Sequence, residues 1–417
     1  MKILVVLPMY GGSLPVGRYC ASALERLGHQ VDVFDAPVFK TAFDGLKGLK
    51  VSSSSLDHLE NSFLQVVSSA VLAKVETMQP GLVLALAQAP LSRQALSRLR
   101  QQGVPTAMWF VEDFRVFQYW RSFAPYYDFF AVIQKQPFFE ELKKSKVREF
   151  MYLPLAADPE FHRPLQPDSV EKRRFGSDIS FLGAGYPNRR KAFGSLLGYD
   201  LKIWGTEWDG AAELKPFVQM QGRRIEPEEA VRIFCATKIN LNLHSSIQAD
   251  QEVVPGDFVN PRTFELASCG AFQLTDERSL LPELFSREEV VTFTTINDLK
   301  DKIDYFLARP QERLIFAERA RKRVLAEHTY EHRMARLLDR MFAAGLLDGK
   351  KTEGDDLLSE ADPELQGRIK ELLDRYRLSP GVGFEDLVFH IRRAEGRLDD
   401  LETSLLFLDE WKKQYNK

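Results

Sequence analysis

The residue types best suited to chemistry crowd into one stretch, Asp257-Phe-Val-Asn-Pro-Arg-Thr-Phe-Glu-Leu-Ala-Ser-Cys-Gly270, which leads into Ala271-Phe-Gln-Leu-Thr275. Asn260 is a preferred N-cap, Pro261 suits the first helical position, and Gly270 can take the left-handed conformation that closes a helix. A short helix is expected between them. Its unpaired backbone N–H groups near Arg262 and Thr263 would attract anionic oxygens, and the Arg262 guanidinium would add positive charge; a diphosphate fits such a site. Glu265, one turn in, can accept hydrogen bonds from both vicinal hydroxyls of a ribose. The alternative is that Arg262 and Glu265 form an i,i+3 surface pair of little consequence.

Three further clusters carry polar groups to strand ends. Ile179-Ser-Phe-Leu-Gly183-Ala-Gly185-Tyr-Pro-Asn-Arg189-Arg190-Lys191 reads as a strand, a glycine turn and a basic helix entrance. The glycines would let backbone approach a ligand, and Arg189 or Arg190 would offset the charge of a departing diphosphate; otherwise this is a solvated basic helix start. In Thr237-Lys-Ile-Asn-Leu-Asn-Leu-His244, alternation puts Lys238, Asn240, Asn242 and His244 on one strand face, and His244 either reaches a ligand or is a hydrogen-bonded core histidine. Trp109-Phe-Val-Glu112-Asp113-Phe-Arg115 places two carboxylates and several aromatics just past another strand, where Asp113 either serves an acceptor or caps a helix. Gly11-Gly12-Ser13 follows the first strand without dinucleotide or P-loop spacing. Glu327-His328-Thr-Tyr-Glu331-His332 is not His-Glu-x-x-His and brings no third ligand, so no metal site is expected.

These residues need two scaffolds. Apolar runs at Lys2 to Leu7, Val31 to Phe34, Leu82 to Ala87, Thr106 to Val111 and Phe129 to Ile133 read as buried parallel strands. Amphipathic stretches at Arg18 to Leu27, Leu56 to Met78, Leu91 to Gln101 and Pro137 to Lys144 read as the helices between them. The rhythm restarts beyond a proline-rich segment holding Pro154, Pro159, Pro164 and Pro167, with strands at Asp178 to Leu182, Leu201 to Trp204, Ile239 to Leu243, Ala271 to Thr275 and Val290 to Phe293. The expected fold is therefore α/β with two Rossmann-like, doubly wound domains, and the cleft between them is the natural ligand site.

The divisions expected are 1–157, a linker 158–176, a second domain 177–330, a crossover helix 331–348 and a helical extension 349–417. In the extension, Gly381 and Gly383 separate two blocks, and Leu401, Leu405 and Leu408 form an apolar stripe that packs on the body or in a homodimer. A length of 417 residues with 44% hydrophobic and 28% charged side chains agrees with two ordinary cores. With 56 basic against 59 acidic groups, a net charge of −3 gives no reason to expect nucleic acid or an anionic membrane as partner. Cys20, Cys235 and Cys269 lack metal-ligand spacing and read as reduced core residues, and no apolar run suits a signal peptide or a membrane span, so a cytoplasmic protein is expected.

Asn260-x-Arg262-Thr263-Phe264-Glu265 with Cys269-Gly270 resembles the donor helix of retaining GT-B glycosyltransferases, in particular the spore-maturation CgeB-like branch. That group has two acids separated by seven residues; Glu265 matches the second, and Asp257 stands where the first, usually Glu, would be. Ile179 to Lys191 is similar to the first strand and loop of a GT-B donor domain, and the helix after Glu331 to the one that crosses back to the first domain. The resemblance implies a metal-independent, retaining glycosyltransferase that moves a sugar from a nucleotide diphosphate sugar, a UDP-sugar first among them, to an acceptor hydroxyl. In it Glu265 binds ribose; Arg189, Arg190, Asn260, Arg262, Thr263 and Gly183 surround the diphosphate; Asp257 and His244 adjoin the sugar; Gly11, Gly12 and Asp113 face the acceptor. The rival readings are a sugar-nucleotide epimerase and a non-catalytic sugar-nucleotide-binding scaffold.

Overall fold

A computed structural model describes residues 1–248, 251–347, 363–376, 378, 384–394 and 396–415. The amino-terminal lobe contains β1 (Lys2–Val6), α1 (Ser13–Arg26), β2 (Gln30–Phe34), α2 (Lys40–Lys47), α3 (Ser53–Met78), β3 (Leu82–Leu86), α4 (Arg93–Gln101), β4 (Thr106–Phe110), α5 (Trp120–Phe123), β5 (Phe129–Val132), α6 (Phe138–Lys144) and β6 (Glu149–Tyr152). The second lobe follows with α7 (Ser169–Phe175), β7 (Ile179–Leu182), α8 (Pro187–Phe193), β8 (Leu201–Trp204), α9 (Pro227–Ala236), β9 (Ile239–Asn242), α10 (Pro261–Ser268), β10 (Gln273–Asp276), β11 (Val291–Phe293), α11 (Ile296–Leu307) and α12 (Pro310–Glu327). Then come α13 (Tyr330–Ala343), α14 (Pro363–Arg375), α15 (Phe384–Arg393) and α16 (Asp400–Tyr415).

All strand pairings are parallel, in the orders β2-β1-β3-β4-β5-β6 and β11-β10-β9-β7-β8. Both faces of each sheet must then be covered, which is why β3 and β4 are buried at every position and apolar at all but Thr106. Successive side chains feed opposite layers. Ile3, Val5, Leu82, Leu84 and Leu86 join one core cluster, while Leu4, Val6, Val83 and Ala85 join another. Each sheet reverses its strand order once, between β1 and β3 and between β7 and β9, and the crevices beyond those carboxyl ends are where such folds bind ligands.

The lobes share core. The cluster under β1 and β3 continues through Val259, Phe264 and Phe285 of the second lobe to Tyr330, Met334 and Leu337 of α13, which packs against α1. Arg333 fastens this junction. Its buried guanidinium donates to the carbonyls of Pro154 at 2.7 Å, Leu155 at 3.0 Å and Glu327 at 2.9 Å, and to His328 Nδ1 at 2.8 Å. Burial draws its pKa down to about 10, so it stays charged at neutral pH. On the same side Arg26 of α1 pairs with Asp158 at 3.1 Å and with Glu331. The segment expected to be a plain linker therefore contains α7 and is stitched to both lobes.

The tail is a unit of its own. Leu372, Leu373, Leu387, Val388, Ile391, Leu401 and Leu405 form a cluster drawn from α14, α15 and α16. Leu401 and Leu405 thus pack within the tail, not on the body, while Leu408 stays exposed. Gly349, Gly381 and Gly383 lie outside the described residues.

Replacing Arg333 with Ala leaves the buried carbonyls of Pro154 and Leu155 without this donor. Charge-assisted bonds contribute about 1.5–3 kcal/mol each. The Arg333→Ala protein should lose roughly 3 kcal/mol in urea denaturation, the sum of two such bonds at their lower value; a loss under about 0.5 kcal/mol, the level of an ordinary surface change, would show that the junction does not depend on this side chain.

Candidate functional site

The start of α10 is built from the inside outward. Asn260 is extended (φ −71°, ψ 162°), and its Oδ1 accepts from the Thr263 N–H at 3.1 Å, the cap its residue type predicts. Its Nδ2 donates to Asn242 Oδ1 at 2.8 Å, and Asn242 Nδ2 donates to Thr263 Oγ1 at 2.9 Å and Gln273 Oε1 at 3.1 Å. The cap is thereby tied to β9 and β10. One expectation needs correcting: the Thr263 N–H is consumed by this cap, so of the two N–H groups expected to be open, only that of Arg262 lacks a hydrogen bond among the described residues.

Behind the cap lies His244. The Asn260 N–H reaches its Nε2 at 2.9 Å and can only donate, so Nε2 accepts and the ring proton sits on Nδ1, 2.6 Å from Asp276 Oδ1. Burial holds the His244 pKa below its ordinary value, in keeping with a neutral ring. Burial would raise Asp276, but His244 and Arg278 outweigh it and keep that carboxylate ionised. Arg278 donates to Asp276 Oδ2 at 3.1 Å and to the carbonyls of Val254 at 3.0 Å and Phe258 at 3.2 Å. Gly256 makes room for it, since a Cβ there would lie 1.7 Å from its guanidinium. Both nitrogens of His244 are occupied, which is the hydrogen-bonded core arrangement, and through Asn260 it positions the loop.

Glu265 lies at the crevice, neither sealed nor free, with 14% of its side chain exposed. Its Oε2 accepts from Arg262 at 2.6 Å, while Oε1 has no hydrogen bond among the described residues and stands 3.9 Å from His162 Nε2. The facing wall is Tyr19 of α1, whose hydroxyl is raised by burial and then by Glu265. Tyr19 stacks at an angle on Phe161 and edge-on to His162, with centroids 5.6 and 5.0 Å apart. The Arg262 guanidinium lies over the Phe234 ring at 4.7 Å.

Beyond β7, Arg189 donates through Nε to the Leu243 carbonyl at 2.9 Å and through Nη1 to Ala184 at 3.0 Å, joining the β7 loop to the end of β9. Burial draws its pKa down to about 10. Its Nη2 has no hydrogen bond among the described residues. Arg190 turns elsewhere, to the Glu207 carbonyl at 3.4 Å. At Gly185 the close approach is to the protein's own backbone. A Cβ at Gly185 would sit 2.3 Å from the Glu207 oxygen and one at Gly205 2.6 Å from that of Gly183, so these glycines let the β7 and β8 loops touch.

Across the crevice, Asp113 Oδ1 accepts from the Arg115 N–H at 2.9 Å, a local turn of the capping kind. Asp257 instead reaches between the lobes, accepting from Gln134 Nε2 at 2.8 Å and Arg115 Nη2 at 3.3 Å. Burial would raise its pKa, but Gln134 and Arg115 prevail and lower it. Gly11, at φ +100°, receives Arg224 Nη2 of the second lobe on its carbonyl at 3.5 Å; Gly12 is exposed at the head of α1. Gln134, Arg115 and Arg224 were not foreseen as site residues. A glutamine directly after an apolar strand was the one available signal for Gln134, which is fully buried.

Two parallel sheets facing one crevice are also found in solved structures. Sucrose-phosphate synthase from Thermosynechococcus elongatus is 14% identical, with a TM-score of 0.54 over 82% of this chain and 99% of that one. Anabaena HepE, solved in complex with UDP, is 13% identical, with a TM-score of 0.56 over 82% of this chain and 100% of that one. Residues 189–339, which hold Arg189, His244 and all of α10, match a family described as glycosyl transferase-like. The fold is thus that of the GT-B glycosyltransferases, and the second lobe carries a glycosyl transferase-like domain. The spore protein CgeB of Bacillus subtilis (strain 168) is 25% identical over 293 residues, 67% of this chain and 89% of that protein, and the chain is CgeB-like within that class. Among the described residues, no helix is long and apolar enough to cross a membrane, and no cluster of three His, Cys, Asp or Glu could hold a metal ion.

The buried histidines give a pH dependence. His29 and His328 are lowered to about 4 by burial, and burial also lowers His162 and His244. Each binds a proton more readily when unfolded, so their contribution is complete above the unfolded value of about 6.5 and is lost as pH falls from there toward 4. The thermal midpoint should decline steadily from pH 7 to pH 5; a flat profile over that range would contradict neutral, buried rings.

Proposed function

We propose that the chain moves a sugar from a UDP-sugar to an acceptor hydroxyl with retention of anomeric configuration and without a resident metal. The observation that carries this reading is Glu265, held by Arg262 through one oxygen while the other, 3.9 Å from His162 Nε2, makes no hydrogen bond among the described residues. An open carboxylate oxygen suits a ribose diol. The diphosphate would lie along the Arg262 N–H, the Arg262 guanidinium and Arg189 Nη2, whose charges favour the leaving group as it develops. HepE with bound UDP and UDP-glucose supports the choice of base, as a fold relative of this chain.

Retention follows from the state of the carboxylates. Asp257 is tied to Gln134 and Arg115 with a lowered pKa, so it is a poor proton acceptor at neutral pH. Asp113 is occupied by its own turn. Glu112 is likewise engaged, by Gln88 and Tyr119, and the donor's phosphate oxygen is the group that takes the acceptor's proton. The acceptor oxygen then bonds to the anomeric carbon on the face from which the phosphate departs, and the proton passes to that phosphate. Asp257 and Arg115 fix the lobes about this centre, and His244 with Asn260 keeps the start of α10 in place.

UDP-glucose should raise the thermal midpoint of the native protein, since at 100 times Kd a ligand adds about 2.7 kcal/mol of apparent stability. In Glu265→Ala that rise should vanish while the unliganded midpoint changes by less than about 2 °C, the shift of a roughly 0.5 kcal/mol surface change. An undiminished rise in the variant would remove the ribose role, and NMR of a transferred sugar would test its anomeric configuration.

A further inference from the structure

A cavity of about 660 Å³ opens on the amino-terminal lobe beyond the carboxyl ends of β1, β3 and β4, under α2 and α3. Aromatic rings dominate its walls: Tyr10, Phe43, Phe117, Tyr119, Phe123 and Tyr127. Small-molecule pockets fall in the range of about 300–1,000 Å³ and combine an apolar lining with a few placed polar groups. Asn61, Gln65, Ser92, Arg93 and Gln94 also line it, and the polar group beside the Gly11 loop is Gln88. Its backbone holds a left-handed φ of +66°, unusual for a residue with a side chain, and is secured by the bond from its N–H to Tyr119 Oη at 2.9 Å. The Gln88 amide donates from Nε2 to Glu112, which also accepts from Tyr119 Oη at 2.8 Å. With Nε2 on Glu112, the amide oxygen points the other way. That oxygen has no hydrogen bond among the described residues and lies 3.6 Å from where a Gly11 Cβ would be. Gly11 is the residue that touches Arg224 of the other lobe. Gln88 thus borders both the apolar cavity and the loop that lines the crevice.

We infer that this cavity binds the aromatic body of an alcohol or phenol, with its hydroxyl donated to Gln88 Oε1 beside the Gly11 loop. Resting on the transferase reading, this names the acceptor class: a hydroxyl compound whose ring packs on the aromatic side of the cavity. Glu112 and Tyr119 are positioning residues, fixing which end of the Gln88 amide is presented.

The test uses the full-length protein and 4-methylumbelliferone, without nucleotide, followed by fluorescence anisotropy. Saturable binding is expected, with its 7-methoxy counterpart weaker by about 3- to 10-fold, the loss of one hydrogen bond. Two variants intrude on the cavity, Ala89→Phe from its wall and Asn61→Trp from its exposed rim on α3. Each should weaken the probe at least tenfold while leaving the UDP-glucose thermal shift unchanged. Absence of saturable binding, equal binding of the methoxy compound, or indifference to both variants would overturn the inference. If in any of these cases UDP-glucose still stabilises the protein, the transferase reading survives its loss; if the probe binds as expected and UDP-glucose does not, the pocket stands and the donor reading falls.

Discussion

The site depends on one buried relay: Arg278 to Asp276, Asp276 to His244, His244 to the backbone of Asn260, and Asn260 to the first turn of α10. An isolated carboxylate in this position would be costly to bury, and so would the guanidinium. Together, with the carbonyls of Val254 and Phe258 satisfying the rest of Arg278, they make a rigid support. Removing a central member would leave a charge or a donor stranded inside the lobe. The outcome is that Arg262 and Glu265 are presented from a helix end whose position is set by two strands and a loop at once.

Much of this arrangement was legible in the sequence, for identifiable reasons. Parallel sheets bury both faces of their central strands, so Leu82 to Leu86 and Ala107 to Phe110 could be recognised as unbroken apolar runs. Asn260-Pro261 and Gly270 marked the ends of α10 through local backbone preferences, which need no tertiary context. The identity of the polar residues on β9 was equally plain. What could not be read was their partners. Whether His244 meets a ligand or Asp276 depends on a residue 32 positions away, and the engagement of Asp257 by Gln134 spans 123.

The same limit explains the glycines and the arginines. Gly183 and Gly185 were recognised as positions where backbone comes close to something, but only the folded chain identifies that neighbour as the β8 loop. Arg189 and Arg190 are adjacent and chemically identical, yet one is drawn under the β9 end by two carbonyls and the other lies on the 207–210 loop. On a helix, consecutive side chains point about 100° apart, so adjacency in sequence separates their surroundings. The tail illustrates a different gap: its apolar stripe was visible, but the partner it chose was its own neighbouring helices.

The shared core beneath α13 has a mechanical meaning. Because Phe264 and Phe285 belong to the same packed cluster as Tyr330, Met334 and the first sheet, the lobes cannot slide apart without exposing it to water. A widening that keeps this cluster packed would pivot beside it, where Arg333 binds the carbonyls of Pro154 and Leu155. Elsewhere the lobes meet through polar contacts at partly exposed positions, Arg224 with Gly11 and Arg115 with Asp257. The molecule is thus a tweezer joined at its base, whose tips are held by a few polar bonds that water can replace.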